Sequence, residues 1–152
     1  MDIVVSDLTR LTIAEAGAWL RSGATTSVAL TNASLERVTE LEPKLNAFIT
    51  VTADDALKSA ALADAERSAG RDRGPLHGIP IGIKDLCATK GVRTTAGSKI
   101  LGDWIPDHDA AVVTKLKHAG AVSLGKLNLH EFAYGTHSNN QWYGAVHNPW
   151  NM

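Results

Sequence analysis

Four helix-period segments separated by short apolar runs constrain this chain more than any other feature, because helices alternating with short strands must stack as layers around a sheet. Thr12 and Glu15 have the spacing of a capping box, with Ile13, Ala16 and Leu20 along one face and Gly23 as a stop. Thr26 and Ser27 can cap a second helix carrying Val28, Leu35, Val38 and Leu41, which Pro43 should end. Ala47 to Thr52 then reads as a strand, and Asp54 to Ala69, rich in alanine, as a third helix closed by Gly70. After the basic loop RDRG, a strand is expected over Ile79 to Lys84, followed by an irregular stretch to about Pro106. A fourth helix over Asp109 to Ala119, ended by Gly120, leads into a short apolar strand over Ala121 to Leu124. Asn128 and Glu131 repeat the capping-box spacing and predict a short helix through Tyr134. The expected fold class is therefore α/β.

The 152 residues, 44% of them hydrophobic, suffice for one domain with a core of its own. Fifteen Lys and Arg balance sixteen Asp and Glu, so the overall charge draws the chain neither to nucleic acid nor to an anionic membrane. A small molecule or a protein is the expected partner. A single cysteine, Cys87, cannot form an internal disulfide, and the acidic start MDIVVSDLTR is unlike a signal peptide, which predicts a cytoplasmic protein. No uncharged apolar run approaches the roughly 18 residues of a membrane span. Residues 135 to 151 read as loop, yet Trp142, Tyr143 and Trp150 give them more aromatic surface than a free tail needs, so they are expected to pack against something.

The run Gly78-Ile79-Pro80-Ile81-Gly82-Ile83-Lys84-Asp85 is the most chemically suggestive. Strand alternation sends Ile79, Ile81 and Ile83 to one face and Pro80, Gly82 and Lys84 to the other. Glycine within a strand marks close approach by backbone or ligand, so something is expected to fit beside Gly82. An amine held in such a place loses hydration and can serve as a neutral base. By position alone Lys84 can equally be a solvated charge or the partner of Asp85.

GPLHGIPIGIKDL resembles the stretch of the amidase-signature family that carries its catalytic lysine. The similarity continues in order through GVRTTAGSKIL, DAAVVTKLKHAGAVSLGKLNLHEFAYG and NPWN, so that four consecutive matches span residues 74 to 151, and LNAFITV is similar to the family's opening. The resemblance implies an α/β/α sandwich on a mixed, twisted sheet, of which residues 1-152 would form the N-terminal portion. It also implies hydrolysis of carboxylic amides by a Ser, cis-Ser, Lys triad through an acyl-enzyme, with Lys84 as the base and no cofactor. In the family the Gly/Ser-rich segment with the bridging serine follows NPWN and the nucleophile comes later still. Ser98, Ser123 and Ser138 lie in no such context, so this chain alone is expected to be inactive, with a small-molecule amide as the substrate of the complete enzyme. Thr136 and Ser138, in the loop GTHSNN that lies near the family's acyl pocket, are the substrate-contact candidates, against a local turn role.

The remaining constellations point to ordinary structural roles. His77, His108, His118, His130, His137 and His147 show no paired-ligand spacing, so no metal site is expected. Ser98 in TTAGS is expected to cap its loop, and Cys87 to pack as a small apolar residue. Two classes of function stay open: an amidase lineage, or half of a split enzyme, whose activity needs a complementary C-terminal chain, and a non-enzymatic interaction module stabilised by a partner.

Overall fold

The computed structural model describes residues 7–151. Its centre is a three-stranded mixed sheet in the order β1 (Phe48–Val51), β3 (Val122–Leu127), β2 (Pro80–Lys84). The middle strand runs antiparallel to β1 and parallel to β2. A parallel pair requires a long crossover, and here it contains the irregular stretch after Lys84 and helix α4 (Ala111–His118). Helices α1 (Ile13–Ser22), α2 (Ser27–Leu45) and α3 (Ala53–Ser68) precede β2, with β1 threaded between α2 and α3. Among the described residues, no helix is long and apolar enough to cross a membrane.

The helices form where their ends are satisfied. Thr12 accepts a hydrogen bond from the Glu15 amide at 3.2 Å, and the Glu15 carboxylate accepts from the Thr12 amide at 2.8 Å, completing the capping box. Thr12→Ala should cost about 1 kcal/mol by removing the cap, read as a fall in the urea unfolding midpoint at unchanged slope. At the start of α2, Thr26 caps Ala29, while the Asp64 carboxylate of α3 accepts from the Ser27 and Val28 amides at 2.7 and 3.0 Å. A negative charge at a helix N-terminus is favourable, so this contact also fixes how α3 lies on α2. Pro43 does not end α2; it sits in the last turn, where the helix continues to Leu45 and closes on a left-handed Asn46 whose N–H donates to Glu42 O. Proline removes one backbone donor there, and just past the helix end the Glu42 carboxylate accepts from the Ala47 and Phe48 amides.

Ala56 and Ala60 of α3 pack on Val122 and Leu124 of β3 in one buried cluster, and Ala16, Leu20, Leu30 and Ile79 form a second. Alanines let α3 approach the sheet closely, which suits a helix chosen for propensity rather than bulk. The third strand outruns its expected end at Leu124 because the backbone continues past a bulge. Gly82 pairs with Gly125 while Ile81 pairs with Ser123, so Leu124 is the extra residue. Gly125 has φ +147, and a β-carbon there would collide with the Thr50 carbonyl of β1, so a larger residue would force the central strand away from its neighbour. The same bulge sets Lys126 opposite Ile83 and Leu127 opposite Lys84.

The segment after β3 differs from expectation. Asn128 does not open a helix: its side chain donates to the carbonyls of Asn46 and Gly144 and accepts from its neighbour Leu129. A single 3-10 turn, Glu131–Ala133, replaces the expected helix. The loop that follows is stitched back to the α2–β1 junction by Asn46, which donates to Tyr143 O and Ala145 O, and by the His147 amide, which donates to Leu45 O. Its aromatics are only partly packed. Trp142 donates to Glu131 and lies under the Lys99 amine, and Tyr143 lies under the Arg93 guanidinium, but Trp150 is 93% exposed.

Candidate active site

Two lysines stand near the end of the parallel strand pair, and their surroundings are opposite. Lys84, the last residue of β2, is exposed and makes no ion pair among the described residues. Lys126, on β3, is wholly buried. Its ammonium donates to Cys87 O at 2.7 Å and to Thr94 Oγ1 at 2.8 Å, and faces Asp85 Oδ1 at 3.4 Å. Burial pushes the Lys126 amine below its ordinary pKa, opposed by the charge of Asp85. Asp85 is also wholly buried, and its other oxygen accepts from the Thr95 amide at 2.8 Å and the Thr95 hydroxyl at 2.5 Å. The carboxylate next to Lys84 in sequence is thus the partner of Lys126, which leaves Lys84 without one.

The close approach expected beside Gly82 is made by the neighbouring strand, although Gly82 itself is exposed. A β-carbon at Gly82 would lie 2.8 to 2.9 Å from the side chain of Leu127, so the glycine accommodates the neighbouring strand. Lys84 and Leu127 instead border a cleft of about 310 Å³ whose far wall is Ala133 and Gly135 to Ser138, with Asn128 to His130 also lining it. The cleft brings Lys84 together with Thr136 and Ser138, which lie 52 and 54 residues further along the chain. Phe132 and Ala133 turn the chain into that wall with left-handed backbones, φ +52 and +56, a conformation that costs a non-glycine residue energy and is held here by Phe132 N donating to Ala96 O and Ala133 N to His130 O.

Hydrogen bonds anchor the chain on either side of the far wall to the loop at 97–98 and to Leu129. Asn140, nearly buried, donates to Gly97 O at 2.7 Å and Leu129 O at 2.9 Å and accepts from the amides of Trp142 and Tyr143. Ser98 is buried and donates to Glu131 Oε1 at 2.6 Å while accepting from the Ile100 amide, which is the loop-capping role expected of it. The Ser98 hydroxyl, with help from Trp142 and Gln141, holds the Glu131 carboxyl below the usual carboxylate range against the effect of burial. Ser123 lies on β3, and Cys87 contributes its carbonyl to Lys126.

The histidines divide by place. His77 is a satisfied core residue: its Nδ1 accepts from the Arg73 amide at 3.2 Å, which leaves Nε2 to donate to Glu66 at 3.1 Å. The same carboxylate binds Arg73 and Arg71, so the basic RDRG loop is pinned to α3. His130 and His137 meet edge to face at 4.9 Å on the cleft wall, while His108, His118 and His147 are exposed. Among the described residues, no three His, Cys, Asp or Glu side chains gather as metal ligands would.

A family model described as Amidase matches residues 29–152. The chain belongs to the amidase family. It is 54% identical over 142 residues to a glutamyl-tRNA(Gln) amidotransferase subunit from Azotobacter vinelandii, a match covering 93% of this chain and 29% of that one. The subunit of the same name from Roseiflexus is 48% identical, over 95% of this chain and 30% of that one. Among solved structures, native peptide amidase from Stenotrophomonas maltophilia superposes with a TM-score of 0.85 at 42% identity, over 94% of this chain and 31% of that one. Fatty acid amide hydrolase gives 0.88 at 27% identity, over 95% of this chain and 26% of that one. The amidase-family chain described here thus spans about 30% of the length of these relatives. Its mixed α/β sheet is that of amidase-signature enzymes, and its Lys84 cleft lies within the matched stretch.

Proposed function

We propose that this chain supplies the base of an enzyme that hydrolyses carboxylic amide C–N bonds, with Lys84 as that base and Thr136 and Ser138 as contacts to the acyl group. One observation carries the reading: of the two lysines at the end of the parallel pair, Lys126 is buried and saturated, and Lys84 opens onto the cleft that also holds Thr136 and Ser138. Lys84 is exposed in this chain, so the lost hydration that favours a neutral amine comes, in this proposal, from the completing segment. The neutral amine then accepts a proton from a bridging serine as that serine takes the proton of a second, whose Oγ attacks the amide carbon. Collapse of the tetrahedral intermediate expels the amine, which carries away a returned proton, and leaves an acyl-enzyme that water hydrolyses. Both serines and the glycine-rich oxyanion site come, in this proposal, from a segment outside these 152 residues, on the same or a complementary chain. The identity to amidotransferase subunits favours a variant in which the ammonia released is passed to a partner protein rather than to solvent.

The test is ammonia release from simple aromatic and aliphatic amides by this chain completed with the remaining part of a relative's amidase domain. Hydrolysis lost in Lys84→Ala, in a protein that remains folded, supports the reading. Retention of most of the activity removes Lys84 from the mechanism.

A further inference from the structure

We infer that Lys126 and Asp85 are positioning residues for Lys84, a buried crosslink that fixes where the base stands relative to the opposite wall of its cleft. The inference rests on the proposed role of Lys84 and adds two residues which that role does not require.

The connections are short and all converge on the turn that follows the base. Lys84 O accepts from the Cys87 amide at 3.0 Å, and Cys87 O accepts from the Lys126 ammonium at 2.7 Å. Asp85 is held at three points: its N–H donates to Leu127 O, its carbonyl accepts from Ala96 N, and its carboxylate binds Thr95. Thr94, the second acceptor of Lys126, spends its own proton on Val92 O, so its lone pair is directed at the ammonium. A single side chain on the central strand therefore ties residues 85, 87 and 94 together. From Thr95 and Ala96 the network reaches the residues that flank the far wall, Asn140 on Gly97 O and Phe132 N on Ala96 O. Without Lys126 the turn after Lys84 keeps its local bonds and the backbone bond from Asp85 N to Leu127 O, but Cys87 and Thr94 lose the side chain that ties them to β3.

Stability alone does not account for such a pair. Burying two charges is costly, and apolar side chains of similar volume commonly serve a core as well or better. What a charged pair with fixed acceptors adds is a single geometry, and proton transfer is sensitive to displacements of about 1 Å.

The experiment compares Lys126→Met, the double variant Lys126→Met/Asp85→Asn and Lys84→Ala with the unmodified enzyme, all completed as above, measuring kcat, KM and thermal melts. Lys126→Met leaves a buried carboxylate unpaired and melts early; the double variant removes that charge and recovers the melt. Both lower kcat by about 30-fold or more with KM within about threefold, and restored stability does not restore kcat. A double variant that regains kcat to within about threefold of the unmodified enzyme overturns the inference, because activity then follows stability. Failure of the double variant to fold also overturns it, since the pair would then be holding the fold together. If Lys84→Ala is active, the proposed base itself fails, an outcome read separately from the other two.

Discussion

Lys84→Arg in the completed enzyme should be as inactive as Lys84→Ala, with amide hydrolysis reduced roughly 10⁴-fold or more. The two substitutions remove the same function by different means. Alanine removes the amine. Arginine keeps most of the reach, but a guanidinium remains protonated throughout the accessible pH range and cannot accept a proton from a serine. Lys84 is exposed and without an ion-pair partner among the described residues, so neither change breaks a buried contact, and the fold should persist in both. Groups of a catalytic triad act as a unit, which is why the loss should approach that of removing the whole triad rather than a fraction of it. Steady-state ammonia release and a thermal melt on the same preparations measure both parts. An active Lys84→Arg enzyme would show that the position needs a positive charge and that the base lies elsewhere.

The largest effect on stability should come from the other lysine. Lys126→Met on its own removes the ammonium from a site where Asp85 remains wholly buried, with Oδ1 facing nothing charged in its place. Breaking a buried pair in this way costs about 3–5 kcal/mol. For a protein of this size that corresponds to a fall in melting temperature of about 10 °C, and urea unfolding should show it as a lower midpoint. A substitution at exposed Lys58 or Lys90 should change the midpoint little, since surface charges contribute at most about 1 kcal/mol. A Lys126→Met protein with an unchanged midpoint would mean that Asp85 finds another partner or takes up a proton at little cost.

Local features were legible because they depend on neighbours in sequence. The Thr12 and Glu15 capping box, the placement of β2 and the capping role of Ser98 all follow from residues a few positions apart. The same spacing at Asn128 and Glu131 misleads, because both side chains have stronger distant partners: Asn128 reaches Asn46 and Gly144, and Glu131 collects Ser98, Gln141 and Trp142. The end of β3 was hidden by Gly125 and Lys126, which interrupt an apolar run although the backbone stays paired on both sides. Lys126 itself carries no local sign of burial. A lysine in a strand reads as a surface charge until the bulge at Leu124 and the acceptors at 87 and 94 are seen together, and those acceptors lie 39 and 32 residues away. Of the cleft, the family resemblance set Lys84, Thr136 and Ser138 at one site; the residues alone did not, because the cavity they share depends on the left-handed turn at Phe132 and Ala133, which neither residue type suggests.

The central claim is that this chain carries the base while the nucleophile belongs to another segment, and labelling with a serine-directed fluorophosphonate tests it most directly. Incubated alone, the 152-residue chain should take up no label on Ser98, Ser123, Ser138 or any other serine, since a base without a bridging serine and an oxyanion site has no hydroxyl to activate. Completed with the remaining part of a relative's amidase domain, the assembly should label stoichiometrically on a serine of the added part, and only when Lys84 is present. Stoichiometric labelling of a serine within these 152 residues, or labelling of the assembly that persists in Lys84→Ala, would contradict it.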